Sequence, residues 1–276
     1  MEFLLLTDIH NNWTHLETIL DIANEVHGVI FLGDLMQQGD ASPESHDNFE
    51  KIYDVSKWMV AVPGNGAEPE VVHFFDTLGI NVHGTSRRIG EIGFFGVGGV
   101  TDPIGVVLNL REFFRNEQHS AIELDPKSIE TLNVFGVFIR NGFFEVEEWP
   151  PEKIDEMEKY RSPFEHTEDE IFEILLRGHE TICDSPVRVL LSHVPPYEPG
   201  FNPILPEGVS TGSKAITRFI LEFHPSLALS GHYHRDYQFT IGPVPCAILP
   251  AVKDGYYSIL HFESDTRQFR IETRRF

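Results

Sequence analysis

Cysteine is scarce: the 276 residues contain two, Cys183 and Cys246. Two thiols build neither a disulfide framework nor a thiolate metal site, and such usage suits a reducing compartment. Positive charge is also short, with 21 Lys and Arg against 43 Asp and Glu and a formal net charge of -22. That balance repels polyanions and disfavours a nucleic-acid polymer as partner, although bound cations reverse the field locally. No apolar run approaches the ~20 residues that a membrane helix needs. The opening stretch, Met1-Glu2-Phe3-Leu4-Leu5-Leu6-Thr7-Asp8, has no basic flank, and its apolar part ends too soon for a signal peptide. These absences lead to the expectation of a cytoplasmic protein without a membrane partner. With 41% hydrophobic and 23% charged residues, the chain has enough apolar material to bury a sizeable core.

Short apolar runs alternate with amphipathic stretches, the pattern of an α/β fold. Strands are expected at residues 3–7, 29–32, 58–62, 187–192 and 226–229, with a glycine-rich strand pair at 89–99. Helical periodicity covers 16–26, with Asn12 or Thr14 as N-cap, then 49–57, about 69–78, 167–180 and 213–223. The tail turns to strands at 237–241, 246–249, 256–262 and 268–273. Residues from about 104 to 164 break the rhythm with acidic stretches, Pro150-Pro151 and many aromatics. They read as an insertion on a single domain. Phe135, Phe138, Phe143, Phe144 and Trp149 suit equally a lid or dimer interface and a small core of the insertion's own, so a homo-oligomer stays open.

Five short motifs sit where strands are expected to end, which is where an open α/β sheet places its site. They are Asp8-Ile9-His10, Gly33-Asp34, Gly64-Asn65, Ser192-His193 and Gly231-His232-Tyr233-His234. In extended backbone, residues two apart point the same way, so Asp8 and His10 can grip one metal, and His232 with His234 is again such a pair. Each motif alone is more often a turn or a cap, and lone histidines such as His46, His73 and His119 read as structural or exposed. Four His, two Asp and one Asn, each at the end of an expected strand, are harder to assign to structure alone. Nitrogen and oxygen donors without thiolate suit Mn²⁺, Fe²⁺, Zn²⁺, Ni²⁺ or Co²⁺ better than Ca²⁺. Two such ions ~3.5–4 Å apart can share a hydroxide and clamp phosphate oxygens during in-line displacement.

In that order, the motifs resemble those of the calcineurin-like metallophosphoesterase superfamily, and Val62-Pro63-Gly64-Asn65 and Ser192-His193-Val194-Pro195-Pro196 resemble most its small prokaryotic members, archaeal ones included. The resemblance implies a four-layer α/β/β/α sandwich and two divalent metal ions, manganese favoured. One ion would take Asp8, His10, Asp34 and His234; the other would take Asp34, Asn65, His193 and His232, with Asp34 bridging. Asp34, Asn65 and His193 would be the residues closest to the reaction. The superfamily's common Gly-Asn-His motif, whose histidine is proposed to assist the leaving group, is here Gly64-Asn65-Gly66-Ala67-Glu68. Several small bacterial and archaeal relatives in the superfamily that the chain resembles also lack this histidine and favour phosphodiesters.

Charge counting tilts the same way. Two divalent cations, two aspartates and a hydroxide leave about one positive charge, matched better by a diester than by a monoester. The expected activity is hydrolysis of small phosphodiesters by a metal-bridging hydroxide. The alternatives are a phosphomonoesterase acting on a small molecule or a protein, a nuclease, and a metal-binding scaffold of the kind one superfamily member provides. Ser213-Lys214 would suit a phosphate at a helix start but reads more simply as a cap with a solvated lysine.

Overall fold

A computed structural model describes residues 1–36, 42–65, 69–102, 111, 114, 133, 136–140, 143–150, 152–154, 164–198 and 212–276. The strands that read as unbroken apolar runs lie inside. β1 (Glu2–Leu6), β2 (Gly28–Phe31) and β3 (Met59–Ala61) pair in parallel, as strands covered on both faces do. β14 (Tyr256–Glu263) and β15 (Gln268–Arg275) extend this sheet antiparallel, giving the order β15-β14-β1-β2-β3.

The second sheet has a parallel centre of β5 (Ile92–Val97), β10 (Val187–Ser192), β11 (Leu227–Ser230) and β13 (Val244–Ile248). Antiparallel β4 (Ser86–Ile89) and β12 (Tyr237–Ile241) flank it, in the order β12-β13-β11-β10-β5-β4.

Three buried clusters separate the layers. Leu4, Leu6, Val29 and Phe31 face α1 (Leu16–Glu25), α2 (Pro43–Val55) and α3 (Pro69–Thr77) through Ile19, Phe49, Ile52 and Phe75. Phe3, Leu5, Ile30 and Val60 face Phe94, Val189, Leu191 and Leu229 between the two sheets. Phe95, Leu190 and Ala228 face Ile171, Leu175, Ile216 and Phe219 of α4 (Glu168–Glu180) and α5 (Lys214–Phe223). The order helices, sheet, sheet, helices is in keeping with the sandwich that the resemblance implies.

Local chemistry explains where elements start. Thr167 closes a capping box on α4: its side chain accepts from the Glu170 N–H, and Glu170 reaches back to the Thr167 N–H. Ser213 caps α5 by accepting from Ile216. The Glu168 carboxylate also takes the N–H groups of Lys214 and Ala215, so the chain itself fills the anion slot at this helix start. The expected cap of α1 is corrected. His15 holds that position without a side-chain bond, because Asn12 Oδ1 instead accepts from the N–H and hydroxyl of Thr14. α2 begins six residues earlier than expected, at Pro43, whose fixed φ and missing N–H suit a first helical turn.

Of the segment at about 104–164, part is described. β7 (Val137–Arg140) and β8 (Phe143–Val146) form a hairpin, and the Arg111 guanidinium and Lys153 Nζ each stand 4.2 Å from the ring centre of Trp149. β6 (Val100–Thr101) and β9 (Glu165–His166) pair with each other, holding the two ends of the segment together. Phe135 and the side chains of Phe143 and Phe144 lie outside the described residues, as does His119. No helix among the described residues is long and apolar enough to cross a membrane.

Candidate metal centre

The loops that follow β1 and β2 carry Asp8, His10 and Asp34, and backbone hydrogen bonds lace them together. Asp8 N–H donates to Gly33 O at 2.9 Å, His10 N–H to Asp34 O at 3.1 Å, and Asn11 N–H to Leu35 O at 3.1 Å. These bonds carry the contact between the two chain segments past the ends of β1 and β2, into the candidate ligands. Asn65 follows β3, His193 follows β10, and His232 and His234 follow β11.

These loops are not extended. Eight described non-glycine residues have positive φ, and six of them are Asp8 (54°), His10 (49°), Asn11 (61°), Asp34 (55°), His232 (69°) and His234 (53°). The expectation that strand alternation points Asp8 with His10, and His232 with His234, is thus corrected: left-handed turns aim them. Such conformations are strained for L-residues and gather where function over-determines the backbone.

Three glycines permit the approach. A Cβ on Gly33 would lie 2.7 Å from His193 Nδ1, one on Gly64 would lie 1.9 Å from Asp34 Oδ1, and one on Gly231 would lie 2.1 Å from Thr7 Oγ1.

All seven expected residues come together. His234 Nε2 is 3.1 Å from Asp8 Oδ1, and His10 Nε2 stands 3.6 Å from both Asp8 Oδ1 and Asp34 Oδ2. His193 Nε2 is 3.4 Å from Asp34 Oδ2 and 2.9 Å from Asn65 Oδ1, which lies 3.1 Å from His232 Nδ1. Asp8 and His193 are wholly buried, whereas the His10 and His234 side chains keep 20% and 26% of their exposure, so the cluster opens to solvent on that side.

His193 Nδ1 lies 2.7 Å from Leu32 O, and because a carbonyl can only accept, Nδ1 carries the proton. In the neutral ring Nε2 then presents a lone pair to the oxygens of Asp34 and Asn65. Lone pairs facing one another at these distances repel unless a proton or a cation lies between them. His10 Nε2 is likewise buried with no hydrogen-bond partner among the described residues. The donor set fits divalent cations.

The titration directions agree. Burial alone would raise the Asp8 carboxyl, yet the imidazoles of His10 and His234 and the charge of His193 hold it far below the usual range. Burial disfavours a charged His193, but Asp34 and Asp8, with the Leu32 carbonyl, outweigh it and raise the group to about 9. His232 is pushed down to about 4 by burial and then by His193. The two carboxylates thus favour a positive charge at His193, and burial together with that charge disfavours a second one at His232.

Two compact groups of donors stand out: Asp8, His10 and His234, and Asp8, Asp34 and His193. The sequence reading did not expect Asp8 to belong to both. It also missed Thr7, whose buried hydroxyl donates to Asp8 Oδ2 at 2.6 Å. His46, His73 and His83 stand apart from these groups.

Comparison with known proteins places this geometry. The profile of the calcineurin-like phosphoesterases matches residues 1–236. Among curated proteins, nothing matches. Among solved structures, TT1561 of Thermus thermophilus is similar over 98% of this chain and 97% of its own, with a TM-score of 0.59 and 15% identity. A putative 5'-nucleotidase from Staphylococcus aureus matches 98% of this chain and 52% of its own, with a TM-score of 0.54 and 12% identity. A phosphopantetheinyl hydrolase from Mycobacterium tuberculosis matches 90% of this chain and 89% of its own, with a TM-score of 0.52 and 14% identity. At such identities the likeness is one of fold.

Proposed function

The chain belongs to the calcineurin-like phosphoesterase family, and on that footing we propose that it is a two-metal hydrolase of small phosphodiesters. The observation that carries the reading is the convergence of four imidazoles, two carboxylates and the Asn65 amide oxygen, with the Asp34 and Asn65 oxygens facing His193 Nε2 where a proton or a cation must lie between them. One cation would be held by Asp8, His10, Asp34 and His234, the other by Asp34, Asn65, His193 and His232. Asp34 is the shared ligand, because its Oδ2 faces both His10 and His193. Two bound divalent cations, manganese favoured, supply activation of a water and neutralisation of charge on the phosphoryl oxygens.

The protein's own part is positional. The Leu32 carbonyl fixes the His193 tautomer, the laced loops fix the spacing of Asp8 and Asp34, and Asn65 brings a neutral oxygen that adds no negative charge. A diester is favoured over a monoester by the charge balance and by Gly66, which stands where the family's leaving-group histidine would be and lies outside the described residues. Residues from about 104 to 164 are an insertion on the one domain.

The test is a panel of aryl phosphodiesters, aryl phosphomonoesters and cyclic nucleotides offered to the Mn²⁺-loaded protein. Faster turnover of the diesters is expected. Faster turnover of the monoesters would overturn the diester reading, and silence on every substrate with two metals bound would point to a scaffold.

A further inference from the structure

Asp8 brings one carboxylate to two donor groups, and the two oxygens of that carboxylate are treated differently. Oδ1 faces His234 at 3.1 Å and His10 at 3.6 Å. Oδ2 accepts two hydrogen bonds, from Thr7 Oγ1 at 2.6 Å and from the His232 N–H at 3.0 Å. The Thr7 hydroxyl has one proton to give. Its other neighbour, Leu32 O, is 3.4 Å away and already accepts from His193 at 2.7 Å, so the proton goes to Asp8. Thr7 is fully buried, and its place is guarded by Gly231, where a Cβ would lie 2.1 Å from the hydroxyl and 2.8 Å from Asp8 Oδ2.

We propose that Thr7 is a positioning residue that occupies Asp8 Oδ2 and so leaves Oδ1 as the oxygen offered to the metal. This rests on the metal-centre reading given above. A carboxylate free to turn about its terminal bond would present either oxygen, or both. The short bond to Thr7 and the backbone bond to His232 hold it in one orientation before any cation arrives. Partners that orient a metal ligand in this way typically contribute 10–100-fold to metal affinity.

The experiment compares Thr7→Val, Thr7→Ala and Thr7→Ser with the unaltered protein. Mn²⁺ affinity is read by titration calorimetry with the metal alone, and the visible spectrum is read after loading with Co²⁺. Thermal melting in chelator reports the fold without metal. Val and Ala are expected to weaken Mn²⁺ by roughly 10–100-fold and to shift the Co²⁺ bands. Ser, which keeps the hydroxyl, should stay within about threefold and keep the bands. Should Val not fold, Ala carries the comparison, since it removes the hydroxyl without adding bulk. Equal affinity and equal spectra for Ala and Ser would overturn the role of Thr7. An unaltered protein that binds no Mn²⁺ would overturn instead the metal-centre reading itself.

Discussion

Gly64→Ala adds one methyl group and is expected, by the geometry, to empty both of the proposed metal positions. The new Cβ would sit 1.9 Å from Asp34 Oδ1 and 2.2 Å from Asp34 N. Non-bonded carbon and oxygen do not approach closer than about 3 Å, so the two loops must part by roughly 1 Å. Metal–ligand distances tolerate only about ±0.2 Å. A shift of that size carries Asp34 Oδ2 away from a position 3.4 Å from His193 Nε2 and 3.6 Å from His10 Nε2. Overpacking of this kind costs about 1–3 kcal/mol of stability, which a folded domain can absorb, whereas the loss of metals should exceed tenfold. The assay is metal equivalents per chain after gel filtration, beside thermal melting in chelator. Gly79→Ala is the comparator. Its φ is +66° and nothing lies within 4 Å of the added Cβ, so it carries about 1–2 kcal/mol of backbone strain and no clash at the site. Two metals per chain and unchanged turnover in Gly64→Ala would refute the reasoning.

Asp34→Asn should deplete both metals together, while Asp8→Asn should deplete mainly one; elemental analysis decides, and full occupancy in Asp34→Asn would sink the shared-ligand assignment. Turnover of diesters should depend steeply on leaving-group pKa, because a general acid at position 66 is missing and such groups typically contribute ~10²–10⁴-fold. A shallow dependence would mean that another residue gives the proton. His83, pushed down to about 4 by burial and then by the charges of His166 and Arg177, accepts the Gly98 N–H at 2.9 Å. The unfolded chain takes up that proton near pH 6.5 and the folded chain only near 4, so its stability is intact above 6.5 and declines as pH falls to 4. The whole decline is on the order of 3 kcal/mol. His83→Asn should flatten it, as read by urea midpoints across that range, and an unchanged slope would count against a buried neutral His83.

The fold was legible where periodicity is physical. Residues 187–192 and 237–241 are strands at the expected bounds because buried or half-buried strands write their pattern into consecutive residues. Thr167 and Ser213 were legible as helix starts because their side chains bond locally. Asn12 and Thr14 misled because the same local bonding serves a turn equally well. The seven candidate ligands could be listed from their motifs. Their left-handed backbone could not, since Asp, Asn and His do not announce it as glycine does. Thr7 was invisible for a different reason: it sits at the end of an apolar run, and a Thr-Asp neighbour pair carries no sign that the two side chains bond to each other. Position 83 carried no signal either, its environment being built by residues far along the chain.

The clustered positive φ angles have a consequence for the alphabet open to this site. Asp, Asn and His are the non-glycine residues best able to occupy the left-handed region, and they are also oxygen and nitrogen donors. At Asp8, His10, Asp34, His232 and His234 the chain therefore meets two demands with one letter. An exchange that preserves only the donor, such as a glutamate for Asp8, gives up conformational tolerance; one that preserves only the conformation, such as a glycine, gives up the donor. The vocabulary at these five positions is narrower than metal chemistry alone would make it.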